Sequence, residues 1–210
     1  MVESKQEEQS PIFRPVLRLA SASPRRRQLL DLIGVAHVVT PADIDETPHP
    51  AEPADQYVTR LALEKAEAVW ARHRDLPVLA ADTTVVVDEE ILAKPESAAD
   101  AHAMLGKLSG RTHVVLTGIA LRSTRGAQVG ISSTRVSFAQ LSAAQIGAYW
   151  ESGEPQGKAG AYAIQGLGAL FVSNLAGSYT GVMGLPLFET AAMLRAHGVP
   201  VWNGVLGEVE

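Results

Sequence analysis

Apolar and polar positions alternate along the chain in two periods, and the change of period marks the elements. Val16 to Ala20 is a short apolar run that predicts a strand. After Ser21-Ala22-Ser23-Pro24 comes a helical pattern through Leu29, Leu30, Leu32 and Ile33 that stops at Gly34. Pro41 to Pro53, rich in proline and acids, predicts a loop. From Asp55 a helix is predicted with Val58, Leu61, Ala62, Val69 and Trp70 on one stripe; it also carries Glu64 and Lys65. Val78 to Val87 is an almost unbroken apolar run, bounded by Pro77 and an Asp88-Glu89-Glu90 turn, as in a strand buried on both faces. Ser97 predicts the start of a helix ending near Ser109-Gly110, and His113 to Arg122 and Gln128 to Phe138 predict a hairpin through Ser123 to Ala127. Ser142-Ala143-Ala144-Gln145 is a capping-box sequence opening a helix to about Trp150. Glu151 to Gly160 reads as a loop and Ala169 to Val172 as a strand. Asn174 to Gly184 reads as turns, and Pro186 as the first position of a helix closing at Gly198.

The pattern is that of an α/β protein, a mixed sheet flanked by helices. No repeat or linker divides it, so residues 15–210 are expected to form a single two-lobed domain after a disordered extension over residues 1–14. The 210 residues are 46% hydrophobic and include no cysteine, which removes disulfides, thiolate nucleophiles and cysteine-bound zinc, and fits a cytoplasmic location. No apolar run reaches the length of a membrane span, and no membrane partner is expected. A net charge of -5 argues against binding a nucleic acid polymer. A small polyanionic ligand would need its cations gathered locally.

Such a gathering is visible at the first helix. Ser23 as N-cap and Pro24 at the first helical position make a sound start, yet Arg25, Arg26 and Arg27 oppose the positive end of the helix dipole. With Ser21 and Ser23 they suggest a phosphate cradle; a solvated basic helix end is the plain alternative. Asp82 stands inside the apolar strand, where an unpaired carboxylate costs several kcal/mol, on the order of the desolvation of one ion. The polar triplet Asp82-Thr83-Thr84 suggests that the strand borders a cleft there, where Asp82 could hold a divalent cation or orient water. Taken singly, Lys94 reads as a surface lysine, Lys65 as part of a solvated Glu64-Lys65-Glu67 face, and Glu46 as part of a solvated acidic loop. Gly153-Glu154-Pro155-Gln156-Gly157-Lys158 resembles a P-loop, but its glycines are too close and Ala159 stands where the magnesium-binding hydroxyl belongs. The six histidines lack metal-ligand spacing.

In order along the chain, Leu19-Ala20-Ser21-Ala22-Ser23-Pro24-Arg25-Arg26, Ala81-Asp82-Thr83, Lys94-Pro95, Leu108-Ser109-Gly110-Arg111-Thr112-His113, Lys158-Ala159-Gly160-Ala161-Tyr162, Ile164-Gln165-Gly166 and Gly184-Leu185-Pro186-Leu187 resemble the motifs of the Maf family of nucleotide pyrophosphatases. The resemblance runs from about Leu17 to Gly198. It implies an elongated fold of the inosine triphosphatase-like kind with a cleft between two lobes, and magnesium- or manganese-assisted hydrolysis of a nucleoside triphosphate between its α and β phosphates. It also implies a homodimer. Carried over, Asp82 matches the catalytic position, and Arg25, Thr83 and Gln165 match positions linked to substrate choice. Ser21, Ser23, Arg26, Lys65 and Lys94 match polar or cationic positions around the phosphates, and Glu46 an acidic residue near the metal.

Ala161-Tyr162-Ala163-Ile164-Gln165-Gly166 is similar to the members acting on dTTP and UTP, with housecleaning of non-standard nucleotides as a related role. Chemistry agrees: a carboxamide at Gln165 offers the donor and acceptor that uracil and thymine require, provided neighbours fix its orientation, Thr83 among the candidates. Two departures stand out: Ala93 where glycine usually precedes the lysine, and Ala176-Gly177-Ser178 lacking an aspartate before Tyr179. The competing readings are a non-catalytic nucleotide-binding regulator of septum formation and an enzyme of the same fold with another base preference.

Overall fold

The apolar runs fold into one sheet with helices laid on both of its faces. The computed structural model describes residues 14–202, so the extension expected over residues 1–14 lies, Arg14 apart, outside the described residues. The elements are β1 (Leu17–Leu19), α1 (Pro24–Leu32), β2 (His37–Val39), α2 (Ala54–Arg72), β3 (Val78–Val87), β4 (Glu90–Leu92), α3 (Ala98–Leu108), β5 (Thr112–Ser123), β6 (Gly126–Phe138), α4 (Ala143–Glu151), β7 (Val172–Ala176), α5 (Tyr179–Met183) and α6 (Leu187–Ala196). The sheet has seven strands in the order β2-β1-β3-β5-β6-β7, with β4 also pairing β3. β1 runs parallel to β2 and β3, while β3, β5, β6 and β7 form an antiparallel ladder. This is the mixed α/β architecture that the pattern predicted.

The two-residue period of the strands sorts side chains between the faces. In β3, Leu79, Ala81, Val85 and Val87 join the larger core with residues of α1, α3, α4 and α6. Val78 and Ala80 turn the other way, toward Ala62, Ala66, Val69 and Trp70 of α2. Apart from Trp70 this second layer is made of small side chains, including Ala20 and Ala120, so α2 lies close to the sheet. Gly118 shows how close: a Cβ there would stand 2.3 Å from the Val58 carbonyl oxygen. Gly118→Ala should therefore force α2 outward and destabilise the protein by about 1–3 kcal/mol, the usual cost of overpacking. A urea midpoint equal to wild type would show that the helix yields without cost.

Several expectations need correction. Ala169 to Val172 is not a strand: Leu167–Phe171 forms a 3-10 turn, and β7 starts at Val172. Its neighbour, the segment from Asn174 to Gly184, contains α5. Pro186 sits at the N-cap of α6 rather than inside it, because its backbone is extended at φ -70° and ψ 104°; the Leu187 N-H is taken by Thr180 Oγ1. The Asp88-Glu89 turn feeds a further strand, β4, through two left-handed residues at φ 50° and 63°. The capping box of α4 is complete in both directions, and Ser23 and Ser97 cap α1 and α3 as predicted.

Candidate active site

Parity in β3 decides which way the chemistry points. Asp82 is even-numbered like Val78 and Ala80 and faces α2; Thr83 faces the opposite side with Ala81 and Val85. On α2, Lys65 lies one turn from the buried Leu61 and Ala62 and so also faces the sheet. The close approach that Gly118, the β5 partner of Asp82, permits lets the ammonium reach the strand: Lys65 Nζ donates to Asp82 Oδ1 at 2.6 Å. Lys65 and Asp82 are only 7% and 8% exposed. Lys65 is thus no member of a solvated helix face; Glu64 and Glu67 pair instead with Arg60 and Arg122.

The same ammonium lies 2.7 Å from Glu46 Oε1. Burial works against ionising Glu46, but the hydrogen bond and charge of Lys65, aided by Lys94 and Arg26, hold its pKa below the ordinary value. The solvated acidic loop expected there is in fact tied to α2. Tyr57 donates to the Glu46 carbonyl oxygen, and Arg60 forms a two-pronged pair with Glu52 at 2.6 and 2.7 Å. Arg60 holds Glu52 at a pKa of about 2.

On the other side of β3 the arginines of α1 are held by the C-terminal part of the chain. Arg25 Nε donates to the Met183 carbonyl and Arg26 Nε to that of Gly184. Arg26 also donates to Ser21 Oγ and Thr83 Oγ1. Thr117 gives its proton to the Gly181 carbonyl, so Thr83 must donate its own to Thr117. The Thr83 hydroxyl therefore orients Arg26; it makes no bond to Gln165, contrary to the expectation that it fixes that carboxamide. Burial lowers the pKa of both arginines, and Arg25 lowers that of Arg26 further while Asp82 opposes it. Arg27 points to solvent.

Ser21, Arg25, Arg26, Glu46, Lys65, Asp82 and Thr83 line one cleft of about 920 Å³ that also includes Ser23, Lys94 and Gln165, so every site residue expected from the sequence borders it. Lys94 and Gln165 are exposed to the cleft, and among the described residues neither side chain takes a protein partner. Sequence reasoning missed Tyr57 and Lys158 as lining residues. Tyr57 could have been found, since it lies eight residues before Lys65, on the same face of α2. Lys158, whose pKa burial and Arg25 depress, lay in the segment set aside as a failed P-loop. Desolvated like charges held side by side are unfavourable alone and favourable around a polyanion. The cleft can therefore hold a phosphate chain between an arginine wall and a carboxylate-ammonium floor.

Known proteins resemble the chain over most of its length. The dTTP/UTP pyrophosphatase of Methylobacillus flagellatus is 57% identical over 185 residues, covering 87% of this chain and 93% of that protein. The dTTP/UTP pyrophosphatase of Bordetella parapertussis is 54% identical over 196 residues, 89% of this chain and 95% of that one. That of Myxococcus xanthus is 53% identical over 186 residues, 89% and 94% of the two chains. The solved structure of the Staphylococcus aureus Ham1 protein overlaps 59% of this chain and 71% of its own at 17% identity and a TM-score of 0.45, too partial to add to the fold described above. The family model described as Maf-like protein matches residues 16–197, and with relatives this similar over nearly their whole length, the chain belongs to the Maf family.

Proposed function

We propose that this protein hydrolyses dTTP and UTP to the nucleoside monophosphate and pyrophosphate, with water attacking the α phosphorus. The observation that carries the proposal is the buried Lys65-Asp82 pair, joined by the more exposed Glu46, in the same cleft as Arg25 and Arg26, in a chain whose relatives bear the name dTTP/UTP pyrophosphatase.

Among the described residues no three His, Cys, Asp or Glu side chains converge as a metal cage. Two carboxylates drawn to one ammonium nevertheless fit a magnesium or manganese ion that takes its remaining ligands from water and phosphate. Asp82 and Glu46 would hold it, and when bound it would neutralise charge on the leaving pyrophosphate. Arg25, Arg26 and Lys94 bind the triphosphate, while Ser21 and Thr83 keep Arg26 in place. Asp82 accepts the proton of the attacking water as its oxygen bonds to the α phosphorus and the bond to the β phosphate breaks. Lys65 draws Asp82 and Glu46 together through its ammonium.

Incubation with dTTP in water enriched in oxygen-18 tests the bond assignment: label is expected in the monophosphate and none in pyrophosphate. Formation of diphosphate and orthophosphate overturns the assignment, and nucleotide binding without turnover leaves a nucleotide sensor. Gln165 reads the base, because its free carboxamide can accept from N3-H and donate to a carbonyl of uracil or thymine. In Gln165→Glu the donor is lost and kcat/KM for dTTP and UTP should fall by about 10–100-fold, while CTP and GTP lose less. An equal loss on all four would make Gln165 a general support of the site.

A further inference from the structure

Gln165 can choose between pyrimidines only if its carboxamide is aimed at the base, and Thr83 makes no bond to it. The segment on either side of Gln165 is held by another pair of side chains. Tyr149, on α4, accepts a hydrogen bond from the Ala163 N-H at 3.0 Å and donates to Glu154 Oε1 at 2.7 Å. Glu154 Oε1 also accepts from the Gly168 N-H at 2.9 Å, and Oε2 accepts from the Leu167 N-H at 2.8 Å. One carboxylate and one phenol thus capture the backbone two residues before Gln165 and two and three residues after it.

The glycines around Gln165 have the shape this clamp demands. A Cβ on Gly166 would lie 2.0 Å from Glu154 Oε2, and one on Gly168 would lie 2.6 Å from the Ala163 carbonyl oxygen and 2.7 Å from the Tyr149 hydroxyl. The carboxylate can approach only because Gly166 lacks a side chain, and the phenol only because Gly168 does. Three donors on one carboxylate also account for its depressed pKa, which prevails over the opposing effect of burial.

We propose that Glu154, with Tyr149, is a positioning residue for base selection: it fixes the backbone that aims the Gln165 carboxamide at uracil or thymine. This rests on the reading of Gln165 as the base reader. A carboxamide cannot replace the Glu154 carboxylate, because its NH2 would face a donor where an acceptor is required. The backbone would loosen, the Gln165 carboxamide would no longer be aimed at the edge of uracil or thymine, and discrimination would fall while the phosphate side of the cleft stayed intact.

The test compares Glu154→Gln, Tyr149→Phe and Gln165→Ala with wild type, measuring kcat/KM for dTTP, UTP and CTP and inhibition by inorganic tripolyphosphate. All three variants should lower the ratio of kcat/KM for dTTP over CTP by about tenfold or more. Tripolyphosphate inhibition should stay within about twofold of wild type, which a general loss of structure would not allow. If Gln165→Ala lowers the ratio but folded Glu154→Gln does not, the clamp is overturned and base reading stands. If Gln165→Ala leaves the ratio unchanged, base reading fails and the clamp fails with it. Should Glu154→Gln not fold, the ratio in Tyr149→Phe decides in the same way.

Discussion

Asp82→Asn is expected to leave a folded protein that hydrolyses dTTP about 10²–10⁴-fold more slowly, the range lost when a positioned proton acceptor is removed. The amide is nearly the same size, and its oxygen can still accept from Lys65, which keeps Glu46 as a charged partner. What disappears is a carboxylate able to hold a metal ion and to take a proton from water. At saturating magnesium or manganese, removing a negative charge beside the triphosphate should leave the KM for nucleotide unchanged or lower it, so the loss should fall on kcat. Wild-type kcat in a folded Asp82→Asn protein would exclude Asp82 from the chemistry.

The second large effect concerns stability. Lys65→Met keeps most of the volume of the side chain in the layer beneath α2 but leaves Asp82 buried without its ammonium. Removing one partner of a buried pair costs about 3–5 kcal/mol, and Lys65→Met should lower the urea midpoint accordingly. Adding Asp82→Asn to the same protein should recover much of that loss, since the uncompensated charge is then gone. Magnesium should raise the melting temperature of Lys65→Met more than that of wild type, because it would meet two carboxylates freed from their lysine. Strictly additive losses in the double variant would mean that the pair contributes nothing through its charge.

Much of the frame was legible in the sequence because its signals are local. The stripe of α2, the continuous run of β3 and the serine caps of α1, α3 and α4 each depend on residues within a few positions of one another. β2 and β4 were not legible: three residues are too few to show a period, and the Asp88-Glu89 turn lacks the glycine that marks a hairpin. The apolar stretch from Ala169 to Val172 looked like a strand, yet most of it lies in the Leu167–Phe171 turn, whose first N-H groups are taken by Glu154, 13 and 14 positions back. Among the site residues, Asp82 declared itself by its apolar surroundings. Lys65 and Glu46 did not, since each sits among like or opposite charges that suggest solvent, and only the close docking of α2 brings them together.

The two bonds by which Arg25 and Arg26 grasp the carbonyls of Met183 and Gly184 each join residues 158 positions apart. A chain is made from its N-terminus, so the helix bearing the arginines is complete while the carbonyls that hold them do not yet exist. The Lys65-Asp82 contact spans only 17 positions and can form much earlier. Closing so long a loop is entropically costly and slow. The floor of the cleft can thus be assembled on a nascent chain, but the arginine wall waits for Met183 and Gly184, and a nascent chain that has not reached them lacks the complete site.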